Sequence, residues 1–233
     1  MKKTTLLLTG LVAVLNVAGA GDITGTITLK GTPPAEKAIT PLKEDPNCGK
    51  LHTSTPTTRF YSVGERGGLA DVVVSVQDIT GKSTGASAAP VVMDQKGCEY
   101  IPQILAVQTG QKLVIKNSDP VLHNVHTQPT VAGNKEDNKA QMAGSPDMTM
   151  TFDKPEKFVK FKCDVHPWMF AWVSVFDNPY YAVSGKDGTF KIANVPPGKY
   201  KIEATHRKAG TVTQEVEVKE GAPATVDLAL EVK

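Results

Sequence analysis

After residue 21 the apolar residues of this chain recur at every second position, and no stretch keeps a helical period. Ile23, Gly25, Ile27 and Leu29 form one such run, and Val72, Val74 and Val76 a second. Val159, Phe161 and Cys163, then Tyr200, Ile202 and Ala204, then Val226, Leu228 and Leu230 continue the pattern. In an extended chain alternate side chains point to opposite faces, so each run offers one apolar face to a core. Turn signals separate the runs, among them "KDG" at Lys186–Gly188 and "PPG" at Pro196–Gly198. Asp-Gly suits a tight hairpin because both residues tolerate positive φ. Short strands with regular turns predict an all-β fold of sandwich type. At 233 residues the chain has room for two modest domains, each able to bury a core.

The first 20 residues read differently. Lys2 and Lys3 precede an apolar run from Leu6 to Val17, and small residues at Ala18 and Ala20 precede Gly21. This is the pattern of a cleaved secretory leader, and the run is shorter than the roughly 20 residues of a spanning helix. The expected location is therefore periplasmic or secreted, with no membrane insertion after signal cleavage. Of 26 basic residues, Lys2 and Lys3 belong to the leader, which leaves 24 against 24 acidic ones. That balance, with no basic stripe, gives no support to nucleic-acid binding.

Chemistry concentrates in "FVKFKCDVHPWMFAWVSVF", residues 158–176, and in the upstream "NSDPVLHNVHTQP". Val159, Phe161 and Cys163 alternate, so Cys163 ends a strand facing inward while Lys160 and Lys162 face water. His166 and Met169 follow at intervals of three, in a loop stiffened by Pro167, a spacing that suits successive turns bringing side chains to one side. Thiolate, imidazole and thioether form a soft donor set that one more imidazole would complete. Two His, one Cys and a weak axial Met describe a type 1 (blue) copper centre, whereas zinc prefers Cys and His without thioether.

These residues carry a resemblance. "CDVHPWM" resembles the copper loop of the cupredoxin family of amicyanin and plastocyanin, and "NSDPVLHNVH" resembles the segment that supplies its first His. The resemblance covers roughly Pro90 to Pro179 and implies a Greek-key β-sandwich holding one type 1 copper ion. It implies His123, Cys163, His166 and Met169 as ligands, with Asn124 fastening the His segment to the Cys loop. It also places one ring edge of His166 at an apolar surface, where Pro167, Trp168 and Phe170 are the expected contact with a redox partner. A c-type cytochrome or a periplasmic oxidoreductase is the expected class of partner. For Trp168 the alternative is packing beneath the loop.

Other candidates have plainer readings. His126 matches a non-ligand His of the family, and His52 and His206 read as solvated. Met142, Met148 and Met150 could form a copper(I) thioether site, but irregular packing is the commoner fate of methionines near a strand. Outside the cytoplasm Cys48 and Cys98 are expected to pair as a disulfide, against a second metal site using Cys48 and His52.

The remainder has its own resemblance. "YAVSGKDGTFKIANVPPGKYKIEATHRKAG" resembles the carboxypeptidase regulatory-like (transthyretin-like) family, a smaller β-sandwich that is usually a non-catalytic module. The opening strands of that family resemble "ITGTITLKG" and "LADVVVSVQ", far upstream. The expected organisation is a leader at 1–20, the N-terminal part of this sandwich at 21–88, an inserted copper domain at 89–177 and the C-terminal part at 178–233. Two consecutive domains after an unassigned N-terminal segment is the rival arrangement. Three functions follow from these readings: an electron carrier, a copper-binding or delivery protein with the second sandwich as docking module, and an oxidase or reductase. By resemblance multicopper oxidases need about eight additional His, and this chain has five in all, so the expectation is a carrier and not an enzyme.

Overall fold

The computed structural model describes residues 19–79 and 83–233, so the leader expected at 1–20 lies outside the described residues except for its last two. The elements run β1 (Gly21–Lys30), helix α1 (Thr40–Glu44), β2 (Val73–Gln77), β3 (Val91–Gln95), β4 (Tyr100–Ile101) and β5 (Ile104–Gln108). Then come β6 (Leu113–Asn117), β7 (His123–Gln128), β8 (Asp137–Gln141), β9 (Met148–Met150), β10 (Glu156–Lys162) and β11 (Phe170–Phe176). The chain closes with β12 (Tyr181–Val183), β13 (Thr189–Val195), β14 (Gly198–His206), β15 (Gly210–Val218), β16 (Ala224–Thr225) and β17 (Leu228–Glu231). Two single-turn helices, Cys48–Leu51 and Glu65–Gly67, interrupt the long connection after α1. Among the described residues no helix is long and apolar enough to cross a membrane.

Among the described residues four sheets make two sandwiches. In one, β5-β11-β10-β7-β8 faces β4-β3-β6-β9, over a core that includes Met93, Leu113, Ile115, Val125, Phe161 and Val173. In the other, β13-β1-β16 with β17 added to β1 faces β12-β2-β14-β15, over Ile23, Ile27, Val74, Ile192, Ile202 and Leu230. Among the described residues the strands of the first sandwich thus pair only among themselves, and strands of the second lie before and after them in sequence. Gly25 explains how β1 can carry partners on both edges. A Cβ there would stand 1.8 Å from the carbonyl oxygen of Val226, so only glycine lets the two backbones approach. Gly188 closes the "KDG" turn with φ +80, the left-handed conformation the turn needs.

The two sandwiches touch. Alternation in Val72, Val74 and Val76 predicts a strand with one wet face, yet Val73 and Ser75 between them are buried as well. Their face of β2 lies against Phe158, Ser174 and Phe176 of the other sandwich. Phe158 reaches this seam through a bulge: the β10–β11 register shifts between Glu156 and Val159, and Phe158 takes φ 57. Phe176 stacks on Tyr181 at 4.7 Å between ring centres. The Arg207 guanidinium lies 3.1 Å from the centre of the Trp172 ring, a cation–π contact that also covers apolar surface. Lys160, expected in water, is half-buried and lines a cavity of about 200 Å³ with Phe170, Trp172, His206 and Arg207.

Candidate metal centre

The donors meet because two local devices bring them to the same end of one sandwich. The first is the loop between β10 and β11. Cys163 continues the inward alternation of Val159 and Phe161 and is buried like them. Its N–H donates to the Met169 carbonyl at 3.0 Å, and the Met169 N–H donates to the His166 carbonyl at 2.9 Å, so the loop folds back on itself. The loop brings Cys163 Sγ and a ring nitrogen of His166 together, and Met169 is tied to both residues through its backbone. The second device is register: β7 pairs with β10 so that His126 stands opposite Lys162, which brings His123, at the start of β7, beside the loop.

The ring nitrogens His123 Nδ1 and His166 Nδ1 face each other at 3.0 Å, and Cys163 Sγ lies 3.6 Å from His166 Nδ1. Exposure is 0% for His123, 2% for Cys163, 6% for His166 and 1% for Met169, so the cluster is closed to solvent. Met169 packs in the same core as Cys163. Burial pushes the Cys163 thiol up, but hydrogen bonds from His123 and His166, and from the backbone N–H groups of Asn124 and His166, bring it down to about 6. A thiol held there is thiolate at neutral pH, the form that binds metal. Two imidazole nitrogens and a thiolate converging in a buried space fit a copper ion.

Asn124 occupies the place the resemblance implies. Its N–H donates to Cys163 Sγ at 3.3 Å, and its Oδ1 accepts from the Asp164 N–H at 2.8 Å. Its side-chain amide also meets Asn138 on β8. The sequence reading missed Asp119. Its carboxylate accepts from His123 Nε2 at 2.8 Å and from the N–H groups of Gly97 and Cys98 at 2.6 and 2.7 Å. Burial opposes its charge, but these hydrogen bonds hold Asp119 below the usual carboxylate range. With Nε2–H given to Asp119, Nδ1 is the nitrogen left to face a metal once its own proton is lost, the orienting role of a carboxylate behind a metal-binding imidazole. Tyr100 is the other unforeseen support: its buried hydroxyl bonds the carbonyls of Asn124 at 2.7 Å and Lys162 at 3.2 Å, tying β7 to β10.

The expected contact surface needs correction. Of Pro167, Trp168 and Phe170 only Pro167 is exposed. Trp168 is half-buried; it packs on the cluster of Leu42, Cys48 and Cys98 and its indole N–H donates to the Cys98 carbonyl at 3.2 Å. The plainer reading of this residue therefore holds, because an indole N–H with a buried carbonyl within reach is satisfied there without water. Phe170 starts β11 on the outward face and lines the cavity toward the second sandwich. Val165, 53% exposed, is the other apolar residue the loop shows besides Pro167.

Cys48 and Cys98 are joined as a disulfide with Cα atoms 5.7 Å apart, and His52 Nε2 instead meets the Gly97 carbonyl at 2.7 Å. His126 is clamped between Asp164 and Glu136 at 2.8 and 2.6 Å, turned away from the donor cluster. His206 is not solvated: it is 4% exposed, and burial, aided by neighbouring Arg207, lowers its pKa to about 4. Met142 is exposed, while Met148 and Met150 pack against the core.

Residues 88–176 match the model of the copper binding proteins, plastocyanin/azurin family. The chain carries a plastocyanin/azurin-type copper-binding domain. Residues 166–231 match the carboxypeptidase regulatory-like domain, so the loop from His166 onward and β11 lie in both matches, while β1 and β2 fall outside them. Among solved structures, a copper-containing nitrite reductase from Thermus scotoductus is similar at 19% identity and a TM-score of 0.35, over 43% of this chain and 25% of that chain. A purple cupredoxin from Nitrosopumilus maritimus is 21% identical at a TM-score of 0.31, covering 38% of this chain and 99% of that one. An oxidised amicyanin mutant is 19% identical at 0.33, covering 44% and 97%. The chain thus spans about a quarter of the reductase, and the cupredoxin assignment rests on the matched family rather than on these likenesses. No curated protein matches the chain.

Proposed function

We propose that this chain is a one-electron carrier built on a single type 1 copper site, with His123, Cys163 and His166 as the strong ligands and Met169 as the weak axial one. The observation that carries the reading is the closed donor set, two Nδ1 atoms and one Sγ with at most 6% exposure at any of the three residues. Copper, when bound by such a set, supplies a one-electron couple. The residues of the chain supply rigidity. Asp119 fixes the ring of His123, Asn124 fixes the sulfur, and the backbone bonds between Cys163, His166 and Met169 fix the loop. A site held by this many bonds resists rearrangement between oxidation states.

A delivery protein would need donors open to exchange, and these are buried. An oxidase or reductase would need a place for substrate at the metal, and the donor set is shut from solvent. The leader sequence supports export, and a soluble redox protein is the proposed partner class, a c-type cytochrome or a periplasmic oxidoreductase. We place the copper domain as an insertion between the halves of the carboxypeptidase regulatory-like sandwich, a placement supported by the pairing of β1 with β13 and of β2 with β14. Voltammetry of the copper-loaded protein tests the carrier reading: one reversible one-electron wave is expected. An irreversible wave, or a catalytic current with nitrite or dioxygen, would replace the carrier with an enzyme.

A further inference from the structure

The connection from β1 to β2 does not pass the copper domain by; part of it lies on the ring of His166. Sγ of Cys48, Sγ of Cys98 and a ring nitrogen of His166 are all within 4.8 Å of one another. Leu42 of α1 is fully buried with the two cysteines, and Ile39, Val121 and Trp168 pack around them. The Trp168 ring stands 5.3 Å from the ring of His166. So the His166 ring, at 6% exposure, is covered by a strap belonging in sequence to the segment before the copper domain.

The strap is built rather than draped. Lys43 Nζ donates to the carbonyls of Gly49 and His52 at 3.2 and 2.8 Å, which closes α1 onto the following turn. Asp45 Oδ1 accepts from the N–H groups of Asn47 and Cys48 at 2.9 and 2.8 Å. His52 Nε2 bonds the Gly97 carbonyl, and the disulfide joins Cys48 to Cys98. The Gly97–Cys98 turn in turn gives its N–H groups to Asp119, the carboxylate that holds His123. One end of the strap is therefore fastened to the turn that also positions the first ligand.

We propose that the strap Ile39–His52 is a specificity element of the electron-transfer site: it shields the ring of His166 and excludes small redox solutes from the metal. This rests on the carrier reading above. A small reagent needs only close approach to a ring edge, whereas a protein partner can exchange electrons across the outer surface of the strap. The strap also explains a use for the second sandwich, which anchors the strap through β1 on one side and β2 on the other.

The test uses the full chain with Cys48→Ser and Cys98→Ser together, and separately Leu42→Ala, which keeps the staple and removes the buried anchor. In the copper-free protein the free thiol of Cys163 is titrated with an aromatic disulfide reagent, under conditions where circular dichroism shows the fold retained. The double variant is expected to react about tenfold faster or more than the parent, and Leu42→Ala by a smaller factor, because opening of the strap becomes easier. In the forms loaded with copper and reduced to Cu(I), oxidation to Cu(II) by hexacyanoferrate(III), itself reduced to hexacyanoferrate(II), should accelerate in the same order, and each oxidised form should show the visible band. Equal thiol rates in the parent and in a folded variant overturn the shield. A faster thiol without faster hexacyanoferrate oxidation overturns its role in specificity and leaves the copper site standing. A colourless copper complex in the parent overturns the carrier reading, and the thiol rates then still decide whether the strap covers the site.

Discussion

The two sandwiches are made from the same alternating pattern, and what separates them is the polar content of their interiors. The sandwich of β1, β2 and β12–β17 has a largely apolar core, in which Ile23, Val74, Ile192 and Ile202 set the packing. Its buried polar groups are few, and His206, the titratable one among them, accepts only the N–H groups of Lys208 and Ala209 at its own turn. The copper domain buries His123, His166 and Asp119 at one end, and Gln95 and Gln141 beside them. These are joined to each other and to the backbone, Gln95 to Gln141 at 2.6 Å and Asp119 to His123 at 2.8 Å. A buried imidazole alone is a cost to the fold, while buried imidazoles whose other nitrogens are fixed become a site.

The sharpest way to break this contrast is Cys163→Ser. Replacing thiolate by hydroxyl should abolish the intense visible band of the copper form altogether, even where some Cu(II) still binds. A serine variant that stays blue would move the site elsewhere. On the other side, Ile202→Ala should cost about 2–5 kcal/mol of stability by leaving a void in a core it fills completely. Denaturant titration reads that loss, and the visible spectrum should be unchanged because Ile202 belongs to the other core. A bleached spectrum would show that the sandwiches do not keep separate interiors.

His206 offers a pH test of the apolar half. Its folded pKa of about 4 lies below its ordinary value near 6.5. The unfolded chain therefore binds the extra proton between those two values, and stability is full above about 6.5 and falls as pH drops toward 4. The loss is limited to roughly 3–4 kcal/mol and levels off once the folded form also protonates. His206→Asn, which keeps an acceptor for the two N–H groups, should flatten stability between pH 6.5 and 4. An unchanged slope would assign it to other groups.

How far the sequence reaches follows the range of the contacts. The strands of the core and the Cys–His–Met loop were legible because their signals are local, alternation in twos and spacing in threes. Asn124 was legible through resemblance, since it adjoins His123. Asp119 was not, although it stands four residues before His123, because nothing local shows which way a turn carboxylate points. The burial of Trp168 depends on Leu42 and Cys48, more than a hundred residues away in sequence. The second dry face of β2 and the burial of His206 likewise depend on how the sandwiches and their turns pack, which no alternation encodes.

Asp119→Asn is the finest of these tests. The amide can still accept from His123 Nε2 but carries no charge, so orientation is loosened rather than lost. Copper affinity should fall about ten- to a hundredfold, roughly 1.4–2.7 kcal/mol. Competition with a chelator measures this, and an affinity equal to that of the parent would make Asp119 a structural tie for the Gly97–Cys98 turn alone.

In the proposed site His123, Cys163 and His166 close around one copper ion through two nitrogens and a thiolate. Stoichiometric addition of Cu(II) to the copper-free protein, followed by visible absorption and electron paramagnetic resonance, addresses it most directly. One equivalent bound, an intense thiolate-to-copper band and the narrow parallel hyperfine splitting of a type 1 site are expected. A pale complex with the wide splitting of ordinary tetragonal Cu(II), or saturation at a different stoichiometry, would contradict it.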